Sequence, residues 1–296
     1  MVWCSGWRLV SAVSNNGGLG LIGSGSMYPD VLREHIKKCK KATTRPFGVN
    51  LPLLYPNIEE HINTILEEKV KIVFTSAGSP KKYTQILKDN GITVVHVVAN
   101  QKFALKCLDA GVDAIVAEGF EAGGHNGIEE ITTMCLIPQI KSIVDIPLIA
   151  AGGIGSGNSI LAAISLGADA VQIGSLFAAS KESSAHINFK NKIIESNDGD
   201  TVLTLKELTP VRLLKNDFYF QIENAYRNNA SAEDLRVILS KGRAKKGIFE
   251  GNVVDGELEI GQISSSISKI QSVDQIFKKL IDEFNSKIDY LKHIRL

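Results

Sequence analysis

The sequence predicts an α/β fold closed as a TIM-barrel-like (β/α)8 structure, and three features of its 296 residues carry that expectation. Short runs that are apolar on both faces alternate with mixed segments of helical length, the pattern of a parallel sheet covered by helices. The units recur at about 20 to 30 residues, as one strand plus one helix requires. Glycine or asparagine ends the strands throughout, which suits a barrel because its loops converge on one face. A doubly wound sheet is the alternative closure; the repeated units with these strand ends favour the barrel.

The strands follow in order. They are "LGLIG" (19–23), "FGVNL" (47–51), "IVFTSA" (72–77), "TVVHVV" (93–98), "AIVAEG" (114–119), "PLIAAGG" (147–153) and "AVQIGS" (170–175). Helices are expected at 29–41, 59–68, 80–89, 101–109, 131–144 and 157–166. The opening "MVWCSGWRLVSAVSNNGG" reads as a loop and then a helix, so the first unit has its helix and lacks its strand. A barrel short of one strand leaves two unpaired parallel edges, an unfavourable arrangement.

Beyond the seventh strand the pattern changes. Residues 184–210 are polar and irregular, 211–229 and 231–246 read as helical, and "EGNVVDGELEIGQ" (250–262) reads as a glycine-rich loop. With no further strand in view, 184–270 is expected to be a cap or lid on a barrel of residues 1–183. Residues 271–296 are expected to form a C-terminal helix on the outside of the barrel. Its start is marked by Ser272, a capping residue, followed by Val273, Ile276, Phe277, Leu280 and Ile281 at helical spacing.

Thirty-three Lys and Arg against 32 Asp and Glu give a formal charge of +1. That balance provides no global field for gathering nucleic acid or anionic lipid, so neither is expected as a partner. Cys4, Cys39, Cys107 and Cys135 form no CxxC pair, which favours reduced thiols. No apolar run approaches the ~20 residues that span a bilayer, and the start lacks a basic region leading into an apolar one. The expected location is cytoplasmic.

Two neighbouring strand ends point to an anion. "AAGGIGSG" (150–157) and "QIGS" (172–175) each follow a strand and lead into a helix, so free backbone N–H groups would lie side by side. In barrels the last two loops are the usual phosphate site. The alternative is that these glycines only make tight turns. A Walker loop is excluded by the missing Gly-Lys-Ser, and the dinucleotide fingerprint by its position.

His125 is the one histidine in a glycine-rich strand-end loop, "VAEGFEAGGHNG" (116–127), where it can titrate near neutral pH. A surface histidine is the alternative. No histidine has metal-ligand spacing with a cysteine or carboxylate, so no metal is expected. Asn50 and Gln172 carry amides that both donate and accept, suited to a heterocycle's edge or to a backbone partner in the core. Glu118 is a ligand contact or the partner of a basic side chain. Trp3 and Trp7 read as core or lid aromatics.

Taken together, these residues resemble the flavin-dependent family of nitronate monooxygenases and type II enoyl-acyl carrier protein reductases. The resemblance covers nearly all of the chain. It is carried by "AVSNNGGLGLIGSG" (12–25), "RPFGVNL" (45–51), "AEGFEAGGHNG" (117–127), "IPLIAAGGIGSG" (146–157), "GADAVQIGSLF" (167–177) and "ESSAHINFK" (182–190). It implies a barrel binding FMN, with the phosphate on Gly152, Gly153, Gly174 and Ser175. Asn50 and Gln172 would lie beside the flavin and Gly123 and Gly124 close to its ring, with His125 facing the substrate, and Glu118 is kept as a candidate cofactor contact. The family's first strand has no counterpart in this chain. Its proline and tyrosine after a second histidine are replaced by Ile187 and Phe189, so His186 is given no catalytic role.

The stretches "TTM" (132–134), "KES" (181–183) and "GQISSSISK" (261–269) resemble the reductases more. The favoured function is NADH- or NADPH-dependent reduction of trans-2-enoyl thioesters. The alternatives are oxidation of alkyl nitronates with oxygen, and a non-catalytic relic binding a phosphate compound or a partner. The substrate would be a small molecule or a group borne by acyl carrier protein, and a homodimer is admitted.

Overall fold

A computed structural model describes residues 1–294 of the chain. Its centre is a curled parallel sheet in the order β1-β2-β3-β4-β5-β7-β8, the TIM-barrel-like arrangement the sequence predicts, with seven strands. The strands are β1 (Gly20–Gly23), β2 (Phe47–Pro52), β3 (Ile72–Ser76), β4 (Thr93–Val98), β5 (Ala114–Glu118), β7 (Leu148–Ala151) and β8 (Ala170–Gln172). The helices between them are α1 (Trp7–Asn15), α2 (Pro29–Ala42), α3 (Ile58–Glu67), α4 (Thr84–Asp89), α5 (Gln101–Ala110), α6 (Thr133–Lys141) and α7 (Gly157–Ser165).

Alternation along each strand explains why both faces are apolar. Val73, Val94, Ile115 and Leu148 belong to the main core shared with the helices. Their neighbours Phe74, Val95 and Val116 belong to a separate cluster on the other face, against which Ile149, the neighbour of Leu148, is packed. Residues ahead of α1 run along β1, where Gly23 N donates to Ser5 O at 3.0 Å. The same segment meets the chain beyond β8, where Ser184 N donates to Cys4 O at 3.0 Å.

The later part of the chain departs from the sequence reading. Residues 184–270 carry two strands, β9 (Thr201–Thr204) and β10 (Val211–Leu214), where no strand is expected and where 211–214 reads as the start of a helix. With β6 (Gly124–His125) they form a second, antiparallel sheet in the order β6-β10-β9. The cause is tertiary, since β10 finds a partner in the glycine-histidine loop that follows β5. Around it lie α8 (Ser175–Ala178), α9 (Ile187–Ile194), α10 (Asp217–Arg227) and α11 (Ala232–Leu239). Phe189 and Phe218 are fully buried in two further apolar clusters; the Phe218 cluster is formed within this segment, whereas the Phe189 cluster is shared with Leu176 and Ala179 and with Ile276 and Leu280 of the C-terminal helix.

The chain's last helix, α12 (Val273–Leu291), is capped by Ser272, whose Oγ accepts from Gln275 N at 3.3 Å. It lies against α7 at Gly157, where an added Cβ would stand 2.2 Å from Phe284 N and 2.4 Å from Leu280 O. Both are backbone atoms of α12 and cannot step aside. Gly157→Ala is therefore expected to cost about 1–3 kcal/mol, as overpacking does. A thermal melt with an unchanged midpoint would show that this close approach contributes nothing.

Candidate active site

β5, β7 and β8 are neighbours, so their C-terminal corners form one continuous rim. At the first corner Gly119 N donates to Ala151 O at 2.9 Å, joining the turn after β5 to the end of β7. Gly152 has φ +92, and a side chain there would press within 2.7 Å of Gly119 O. Gly153 has φ +68, again a conformation glycine accepts readily. Glu121 secures the same corner, its carboxylate accepting from Thr133 N and Thr133 Oγ1 at 3.0 Å. This carboxylate was not singled out in the sequence, because it lies in the turn after β5 and only the fold brings it to the N-terminus of α6.

The corner after β8 is open. Nothing lies within 4 Å of where a Gly174 Cβ would be. Ser175 Oγ accepts from Gly261 N at 2.9 Å, which leaves its own hydrogen free to donate. Among the described residues, the amides of Gly153, Gly174 and Ser175 have no hydrogen-bond acceptor. Gln172 Oε1 is buried and likewise without a partner. Unpaired amides around an open corner suit an anion with several oxygens, and the orphaned Gln172 oxygen suits a donor on a ring edge. These residues therefore fit a phosphate-bearing heterocycle such as FMN.

Glu118 ends β5 half-buried with no hydrogen-bond partner among the described residues. Desolvation pushes its carboxyl up to about 7, against the pull of the amine at Met1. Asn50, at the end of β2, is buried and donates through Nδ2 to Phe74 O at 3.2 Å and to Ser76 Oγ at 3.4 Å. Its amide is thus held partly by the sheet.

The glycines before His125 meet the chain itself. A Cβ on Gly123 would lie 2.4 Å from Ile260 C, and one on Gly124, whose φ is +80, would lie 2.9 Å from Glu259 Oε2. His125 itself is exposed and opposite Val211 in the small sheet. It lines a cavity of about 310 Å³ with Trp3, Tyr55, Arg243, Glu257 and Glu259 among the walls. Sequence reading missed Tyr55 and the two glutamates. The alternation in "GELEIG" (256–261) is the signal that was available, hidden in a segment read as loop.

His186 caps α9, its Nδ1 accepting from Asn188 N at 3.1 Å. All four cysteines are free; Cys39 and Cys107 are buried, whereas Cys135 is exposed. Among the described residues no cluster is arranged to hold a metal, and no helix is long and apolar enough to cross a membrane.

Comparison with known proteins bears on the whole of this arrangement. A family model described as nitronate monooxygenase matches residues 1–62 and 55–283. A probable nitronate monooxygenase of Bacillus subtilis is 31% identical, over 93% of this chain and 91% of the relative. The structure of FabK from Thermotoga maritima superposes with a TM-score of 0.92 at 40% identity, covering 99% of this chain and 93% of that one. A nitroalkane oxidase from Streptomyces ansochromogenes superposes with a TM-score of 0.83 at 26% identity, covering 97% of this chain and 94% of that one.

Proposed function

The chain belongs to the nitronate monooxygenase family, a family of FMN-dependent oxidoreductases, and from that premise we propose that it reduces trans-2-enoyl thioesters borne by acyl carrier protein, with NADH or NADPH as co-substrate. The observation that carries this reading is the 40% identity to FabK over 99% of the chain. It supports the reductase branch that the sequence resemblance favours. The relic reading is set aside, because the family and its relatives are oxidoreductases.

FMN, when bound, supplies a centre that takes up a hydride and passes it to an electron-poor carbon. Gly153, Gly174 and Ser175 would hold its phosphate through their unpaired amides, with Gly152 making the turn. Asn50 and Gln172 would meet the polar edge of the ring, with Glu118, Gly123 and Gly124 nearby. Glu118, raised to about 7, can stand there as a neutral donor at neutral pH. His125 faces the cavity, where it would give a proton to the α-carbon of the thioester. Trp3, Leu205, Leu208 and Leu239 line the same cavity with apolar surface and limit water at the reacting carbon.

A second reading, oxidation of alkyl nitronates, is favoured by the family model and by the 31% identical relative. In it His125 would act as base. A paired assay on the flavin-loaded protein separates the two. Anaerobic NADH or NADPH should bleach the flavin, and a crotonyl thioester should restore its colour. Aerobic consumption of a nitronate without nicotinamide, and no response to the thioester, would sink the reductase reading.

A further inference from the structure

His125 lines the cavity and pairs through its backbone with Val211, and among the described residues no partner hydrogen-bonds its ring. The direction of the ring is therefore set by the backbone that carries it. That backbone is a poor support by itself, because Gly123 and Gly124 precede the histidine and Gly124 has φ +80. Successive glycines leave a chain its widest conformational freedom.

The start of the loop is secured from outside, where Arg212 Nε donates to Phe120 O at 3.0 Å and Gln262 N donates to Glu121 O at 2.9 Å. Its end is held by the small sheet, with Arg212 opposite Gly124 and Asn126 N donating to Pro210 O at 2.9 Å. Within the loop, the bonds that span the two glycines come from the side chain of Asn126. Its Nδ2 donates to Ala122 O and to Gly124 O, both at 2.9 Å. These two carbonyls enclose Gly123 and Gly124, so a single amide closes the loop across both. Oδ1 of the same amide is buried without a partner. The reverse orientation would set that oxygen against two carbonyl oxygens and leave Nδ2 without an acceptor, so the site demands the donor.

We infer that Asn126 is the positioning residue for His125: its amide closes the glycine loop on itself and thereby fixes the angle at which the imidazole enters the cavity. The inference rests on reading His125 as the group that moves the proton. Without the clamp the loop samples more conformations. A proton carrier aimed correctly for a smaller share of the time costs rate rather than substrate affinity.

A double-mutant cycle on the flavin-loaded protein tests this, with the substrate that the paired assay selects. Asn126→Ala is expected to lower kcat about tenfold, with KM within about twofold of wild type. In a His125→Ala background the same substitution should change nothing further, because no ring is left to aim. Amide hydrogen exchange across 119–127 should quicken in Asn126→Ala and keep its wild-type rate in His125→Ala. Circular dichroism and flavin content establish that each variant is folded and loaded. Should Asn126→Ala not fold, Asn126→Asp, similar in size and lacking the N–H donors, takes its place in the cycle. An unchanged kcat in Asn126→Ala overturns the inference, and so does a further loss of about tenfold on top of His125→Ala, which would show Asn126 acting apart from the ring. The two readings fail differently. Wild-type turnover in His125→Ala sinks the role of His125 and the clamp's role with it, whereas a loss in His125→Ala that Asn126→Ala does not share sinks the clamp alone.

Discussion

Gly174→Asp is expected to purify folded and colourless. The backbone at Gly174 has φ −98, which any residue can adopt, and the space a Cβ would enter is open for 4 Å. The substitution therefore brings no strain and no clash with the protein. What it brings is a carboxylate beside the unpaired amides of Gly174 and Ser175, which we propose hold the FMN phosphate. Like charges at that distance repel in a site designed for one anion, and the added bulk occupies the same opening. The visible spectrum measures flavin content and circular dichroism the fold. Full flavin occupancy in a folded variant would place the phosphate elsewhere.

His125→Ala is expected to keep its flavin and lose roughly 10² or more in the step that moves a proton, the scale of a positioned acid or base. The ring makes no hydrogen bond to other described residues, and the residue is exposed, so truncation removes no support from the fold. Its backbone pairing with Val211 is independent of the side chain and persists. Comparing kcat/KM of variant and wild type on whichever substrate the paired assay selects measures the effect. Wild-type turnover would remove His125 from the chemistry and leave the loop as a structural contact.

The seven strands of the large sheet were legible because each is a short, mainly apolar run with glycine or asparagine at or near its end. Such a run has few homes except a parallel sheet between helices. The glycine corner after β7 was legible for a related reason, since a positive φ at Gly152 and Gly153 favours the residue without a Cβ. "VRLLKNDFYFQ" (211–221) misled because Val211, Leu214 and Phe218 also match helical spacing, and four residues are too few for periodicity to separate strand from helix.

The sequence by itself determined the strand-helix alternation, the seven-strand count, the capped C-terminal helix at Ser272 and the glycine turn after β7. Each of these is written in neighbouring residues, through periodicity, capping or a backbone angle. Only the tertiary structure decided that Gly124–His125 is a strand, because two residues have no strand character until β10 pairs with them. It also decided that Gly123 must lack a side chain to admit Ile260, and that Glu257 and Glu259 share the His125 cavity. Desolvation and close approach arise between segments more than a hundred residues apart in the chain, and local sequence carries no record of which surfaces will meet.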